Sequence, residues 1–179
     1  MVAAKEEGTP SKKTIELTVL VAAAEADGSV KLLWTLEESG RGKWSWLDHF
    51  GAWTVDAKNR DEASLGPALL YQREDGKSVV PLFPPLFAAE TKLDKGATWS
   101  EGRTDFRVIG ETKVAGRECV EVDCRTPYGH KRTIRVEKSS PLVVALRETV
   151  FIGQGQQHEL KLELTAAKEL SVDEAAKAV

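Results

Sequence analysis

Two Asp-Gly dipeptides, Asp27-Gly28 and Asp75-Gly76, each interrupt a run in which apolar residues recur at every second position. That combination of turn and period leaves the chain few ways to fold. Ile15, Leu17, Val19 and Val21 precede the first turn, and Val30, Leu32, Trp34 and Leu36 follow it. With Asp27 and Gly28 as a two-residue loop, Val21 faces Trp34, Val19 faces Leu36 and Ala23 faces Leu32. Both stripes then lie on one face of a sheet, whereas a slip of one residue would divide them. The second dipeptide sets Tyr71 opposite Val80 and Leu69 opposite Leu82 in the same way.

Between these hairpins lies GRGKWSWLDHFGAW, which holds three of the five tryptophans of the chain. A loop from Asp48 to Gly51 would set Trp46 opposite Trp53 and Trp44 opposite Val55, again on one face. Together with Trp34, these rings form an inward aromatic wall, to which Phe83, Phe87 and Trp99 add further candidates. Such a wall either fills the core or lines an apolar ligand cavity.

Further strands follow. PLFPPLF, from Pro81 to Phe87, reads as a rigid apolar loop or a sheet edge, because proline donates no ladder hydrogen bond. FRVIGETKV and RECVEVDCR meet at Ala115-Gly116, and TPYGH turns the chain into KRTIRVEK. SSPLVVALRETVFI pairs across Gly153 to Gln156 with QHELKLELTAA. The strand from Val143 to Ile152 is apolar on both faces, while Leu160, Leu162 and Leu164 alternate with charged residues. Ser171 and Glu174 have capping-box spacing and predict a short C-terminal helix.

The pattern predicts an all-β protein with about nine or ten antiparallel strands, more than a flat open sheet usually carries. A curved half-barrel, a closed barrel and a sandwich are the candidates, and the half-barrel or open barrel is the expectation. Residues 1–12 read as a disordered lead-in and 13–179 as a single β domain.

With 25 Lys plus Arg against 28 Asp plus Glu, a net charge of −3 argues against a nucleic-acid or anionic-membrane partner. No apolar run is long enough to span a bilayer, and MVAAKEEGTPSKK lacks the apolar centre of a signal peptide. The only cysteines, Cys119 and Cys124, are an odd number of positions apart and so fall on opposite faces of a strand. They read as two small buried hydrophobes rather than a redox or metal pair.

Catalytic motifs are absent. His49, His130 and His158 are too far apart for a local zinc site, and there is no nucleophile elbow, P-loop or dinucleotide fingerprint. No cofactor or metal is expected. Ser45, Asp48 and His49 supply nucleophile, acid and base types within five residues, the weakest of three functional readings, because Asp48 and His49 also suit a bend. Arg125, His130, Lys131, Arg132 and Arg135 interleave with Glu121, Asp123 and Glu137, as on the solvated face of a strand pair.

One block carries a resemblance. It combines Trp99 and Gly102, Val108-Ile109-Gly110-Glu111, Ala115-Gly116 followed by Cys119, a turn at Gly129, Arg135-Val136, and a strand from Leu142 to Arg147 after Pro141. Over about residues 99–164 it resembles exported bacterial half-barrel domains, the outer-membrane lipoprotein carrier and acceptor proteins and related periplasmic domains. The resemblance implies a curved antiparallel sheet over an apolar concavity and no catalytic set. It also implies a periplasmic or extracellular location, with a signal segment ahead of this sequence. The expected function is therefore non-enzymatic binding of an apolar or amphipathic, lipid-like ligand. The alternative is a protein–protein interaction or structural module of the cell envelope with no small-molecule ligand.

Overall fold

The computed structural model describes residues 2–5, 10–24, 28–40, 44–55, 66–72, 76–87, 92–126, 131–151, 157–171 and 174. The strands of the first half are β1 (Val2–Lys5), β2 (Pro10–Ala24), β3 (Val30–Gly40), β4 (Trp44–Trp46), β5 (Phe50–Val55), β6 (Ala68–Gln72) and β7 (Lys77–Pro81). Those of the second half are β8 (Thr98–Glu101), β9 (Thr104–Val114), β10 (Arg117–Arg125), β11 (Lys131–Glu137), β12 (Val143–Phe151) and β13 (Gln157–Glu163). The protein is all-β among the described residues.

Ten strands form one sheet in the order β5-β3-β2-β1-β13-β12-β11-β10-β9-β8, and β4-β6-β7 form a second, with every pairing antiparallel. Neither sheet closes into a barrel. Strands β8 to β13 are a simple meander, which β1 joins to the β2–β3 hairpin. The stretch expected as a disordered lead-in therefore contains a strand. It pairs with both β2 and β13, and ladder hydrogen bonds on two sides can hold a segment that lacks an apolar stripe.

Both Asp-Gly hairpins form, but their registers differ from expectation by two residues. Val19 pairs with Trp34, Leu17 with Leu36 and Val21 with Leu32 in the first; Leu69 pairs with Val80 and Tyr71 with Ser78 in the second. The last pairs before the turns are Ala24 with Val30 and Gln72 with Lys77, and Asp27 and Asp75 themselves lie outside the described residues. Gly28 takes a φ of 88° near the end of its loop, where an Asp-Gly dipeptide also serves longer turns. A shift of two preserves facing, and Leu32, Trp34, Leu36, Leu69 and Tyr71 are buried as their stripes require, whereas a bulge between Val21 and Ala23 sets Ala23 opposite Lys31 and Val21 is exposed.

The expected hairpin between KWSWL and AWTVD does not form. Trp44 pairs with Tyr71 and Trp46 with Leu69, whereas β5 pairs with β3, setting Trp53 opposite Leu32 and Val55 opposite Val30. The chain leaves the large sheet after β3, adds β4 to the small one and returns at β5. The tryptophans are thus divided between two layers, where each ring can be covered from both sides. A single cross-strand ladder would have covered only one side.

The small sheet covers the large one. Trp44 meets His158 of β13 edge-on with ring centroids 4.8 Å apart, and Tyr71 lies 5.5 Å from the same ring. The PLFPPLF loop extends this layer, as its composition predicts: Leu82, Phe83 and Phe87 are buried, and Phe87 packs on Phe106 at 5.9 Å. Backbone hydrogen bonds from Leu82 N–H to Pro67 O (2.9 Å), Phe87 N–H to Pro141 O (2.7 Å) and Val143 N–H to Pro85 O (2.8 Å) hold the loop in place.

Ala115 and Gly116 form the two-residue turn expected of them, and β9 and β10 pair from Arg117 with Val114 onward. Cys119 and Cys124 are both buried; Cys124 belongs to the core cluster between the layers, and Cys119 lies on the other face of β10. Burial pushes the Cys119 thiol above its usual range. At the C-terminal end, Ser171 N–H and Oγ–H donate to Glu174 Oε2 at 2.9 and 2.8 Å, and Glu174 N–H returns to Ser171 Oγ at 3.3 Å. That is the reciprocal capping box. The helix expected beyond it lies outside the described residues.

Candidate functional site

The aromatic candidates converge on one place. Trp34, Trp44, Trp46, Trp53, Phe83 and Phe87 are all buried in the cluster between the sheets, and Trp99 is half-buried at its margin. Trp99 stacks on Phe106 at 5.1 Å with rings nearly parallel, and its indole N–H donates to Glu101 Oε1 at 2.8 Å. Among the described residues, the buried indole N–H groups of Trp34, Trp46 and Trp53 have no hydrogen-bond acceptor. Native interiors leave few such donors, because each costs about 1–3 kcal/mol of lost hydration.

The same interlayer space holds a charge pair. Glu148, on β12, is buried on the inward face between Leu146 and Val150 and accepts from Arg132 of β11 through both oxygens, at 2.9 and 3.0 Å. The Arg132 guanidinium also lies 4.7 Å over the Phe83 ring. The sequence pattern puts Arg132 on the solvated face and makes β12 apolar on both faces, so this fork is not expected from it. The signal was available: Arg132 shares the parity of Ile134 and Val136, Glu148 that of Leu146 and Val150, and His158 that of Leu160 and Leu162. Three polar residues on three apolar stripes mark a buried polar cluster.

Arg125, Lys131 and Arg135 of the charged ladder are on the outer face, as expected, and His130 lies outside the described residues. Arg135 pairs with Glu121 at 2.8 Å and Arg117 with Glu137 at 2.7 Å. The Glu137 carboxyl is held below the usual range by hydrogen bonds from Ser140 and from the Arg117 guanidinium. At the β8 edge an open groove of about 540 Å³ runs past Trp99. Its Asp123 sits opposite Arg107 and its Asp105 opposite Arg125 on neighbouring strands, so it presents no excess of either charge.

Ser45, Asp48 and His49 are all exposed, and no hydrogen bond joins them to one another among the described residues. His49 Nδ1 lies 3.2 Å from the carbonyl oxygen of Leu36. That contact ties the bend between β4 and β5 to β3.

Two exposed large apolar side chains flank this bend. Phe50 is 76% exposed and Leu47 51% exposed. Phe50 begins β5, the terminal strand of the ten-stranded sheet, and FGAWTV contains neither a charge nor a proline. Of the other edge strands, β7 carries Lys77 and Pro81 and β8 carries Glu101, while β4, three residues long, shares the lack of charge and proline with the longer β5. Charges and prolines discourage pairing at an open edge, and β5 has neither.

Comparison of the chain with protein-family models, with curated proteins and with solved structures finds no match. No helix among the described residues is long and apolar enough to cross a membrane.

Proposed function

We propose that this chain is a non-enzymatic protein–protein interaction module of the cell envelope that offers the β5 edge to a partner. The observation that carries this reading is the exposure of Phe50 on an edge strand without charge or proline, three positions after the exposed Leu47. An exposed apolar patch at an unpaired ladder can accept an extended segment through main-chain hydrogen bonds while burying large side chains. The exported location and the curvature of a half-barrel belong to the same proposal and rest on the resemblance of residues 99–164.

A photo-crosslinking amino acid at position 50, with one at the exposed Thr18 of β2 as control, tests the reading in an envelope extract. A discrete adduct from position 50 alone is expected. Equal labelling from both positions, or none from either, would overturn it.

A second reading is favoured by the buried indole N–H groups of Trp34, Trp46 and Trp53, which have no acceptor among the described residues. In it an amphipathic, lipid-like ligand enters between the sheets and supplies the acceptors. Tryptophan emission separates the two readings, because these rings would report a guest directly. A saturable shift with a fatty acid or phospholipid supports the second reading, and unchanged emission across such a panel supports the first.

A further inference from the structure

Resting on the interaction-module reading, we infer that the partner of β5 is β5 of a second copy of this chain, paired antiparallel about a two-fold axis at Ala52. One hydrogen bond sets the phase of β5. Leu36 N–H donates to His49 O at 2.7 Å, and the β3–β5 register continues unbroken from Thr35 with Phe50 to Val30 with Val55. In an antiparallel ladder, hydrogen-bonded and non-hydrogen-bonded pairs alternate. Gly51, Trp53 and Val55 therefore direct their backbone groups at β3, and Phe50, Ala52 and Thr54 direct theirs outward. Among the described residues no strand pairs with that outward side.

A symmetric partner has to satisfy two conditions. Residues that exchange hydrogen bonds must both present outward groups, and directly opposed side chains must share a face. An axis at Trp53 fails the first condition, because its backbone groups are taken by β3. An axis between two residues fails the second, because it opposes inward to outward positions. An axis at Ala52 meets both and uses the full set of outward groups: Ala52 faces the partner's Ala52, and Phe50 faces the partner's Thr54. About six backbone hydrogen bonds would form.

The side chains suit this register. On the outer face the exposed Phe50 gains the partner's Thr54 as a neighbour, with the two Ala52 methyls between the Phe50–Thr54 pairs. On the inner face the partner's Trp53 comes alongside Gly51, which has no side chain to obstruct it and is roofed by the Trp34 ring. β5 carries no charge, so the symmetric pairing brings no like charges together on the strand itself. The interface is isologous and closes as a dimer with no open edge at β5, rather than propagating.

Sedimentation equilibrium of the full chain tests the inference, with a concentration-dependent dimer as the expected result. Ala52→Pro removes an outward N–H without touching the β3 ladder and should weaken self-association by at least about tenfold. Ala52→Cys tests the axis independently of any folding defect in that variant. Opposed Cα atoms at about 5.5 Å are within disulfide reach, so mild oxidation should give a covalent dimer. Thr54→Cys alone should not, because its two copies lie about 13 Å apart along the strands, whereas mixing Phe50→Cys with Thr54→Cys should. A monomer at all concentrations, or equal cross-linking from Ala52→Cys and Thr54→Cys, overturns the self-pairing. Neither result touches an adduct from position 50 to a different protein, which tests the module reading on its own.

Discussion

Arg132 and Glu148 meet across β11 and β12 as a two-bonded fork, Nε to Oε2 at 3.0 Å and Nη2 to Oε1 at 2.9 Å, on the face that the small sheet covers. The arginine side chain keeps 24% of its exposure and the glutamate only 4%. Removing the arginine should therefore cost more than removing the glutamate, because it strands the more deeply buried charge. Arg132→Met is expected to lose about 2–4 kcal/mol in urea unfolding, and Glu148→Leu somewhat less. The double variant should recover most of that loss, since a buried pair can be exchanged for apolar side chains at little net cost. Strict additivity of the two single losses would show that the fork is not a unit.

Ala115 stands in the left-handed region at φ 48° with Gly116 at φ 83°, a mirror-image turn that matches the twist of β9 and β10. An alanine there pays for its Cβ, whereas asparagine and glycine tolerate the conformation. Ala115→Asn should stabilise the fold by about 0.5–1 kcal/mol in thermal or urea unfolding. Gly116→Ala should destabilise it by about 1 kcal/mol or more, although an added Cβ meets no atom within 4 Å. The penalty would be conformational rather than steric.

These positions also show what was legible in the sequence. Ala115-Gly116 was read correctly because a two-residue turn fixes register by itself. Around Asp27-Gly28 the pairing lies two residues from the expected one, with Val19 opposite Trp34. Facing survived because side chains alternate with period two, so Trp34 and Leu36 remained inward whichever partner they took. Parity was therefore reliable where register was not. Layer assignment was less accessible: Trp44, Trp46 and Trp53 all have inward parity, yet nothing local decides whether two neighbouring strands pair with each other or with strands elsewhere. Glu148 was hidden for a related reason. Its stripe is otherwise apolar, and its meaning depends on Arg132 from a strand 16 positions away.

Gly66 lies against Trp53 so closely that a Cβ there would sit 2.4 Å from the indole ring. Trp53 is only 1% exposed, and its ring has no room to retreat without disturbing β5 and the entry to β6. Gly66→Ala should cost about 1–3 kcal/mol as overpacking. Trp53→Ala should cost about 3–5 kcal/mol through the cavity it leaves. In the double variant the added methyl occupies part of that cavity, so the summed loss should fall short of the two single losses. An additive result in urea unfolding would place the Gly66 effect in the backbone rather than against the ring.

Glu137 offers a test through pH. Its carboxylate accepts hydrogen bonds from Ser140 and from Arg117, which hold its pKa below the usual carboxylate value in the folded chain, while the unfolded chain restores that value. A depressed folded pKa adds stability that is fully present above the unfolded value of about 4.3 and is lost as pH falls through the folded one. Glu137→Gln should therefore unfold at lower urea than the parent chain near pH 7, and the difference should shrink below about pH 4 and vanish in stronger acid. Glu111 is likewise lowered, first by its hydrogen bond from Lys138, but this carboxylate is exposed. The smaller effect of Glu111→Gln should fade when salt is raised to about 1 M, because exposed pairs are screened. That of Glu137→Gln should persist, since two directed hydrogen bonds rather than a distant field hold the group. A salt dependence equal for both variants would show that Glu137 is held by charge alone.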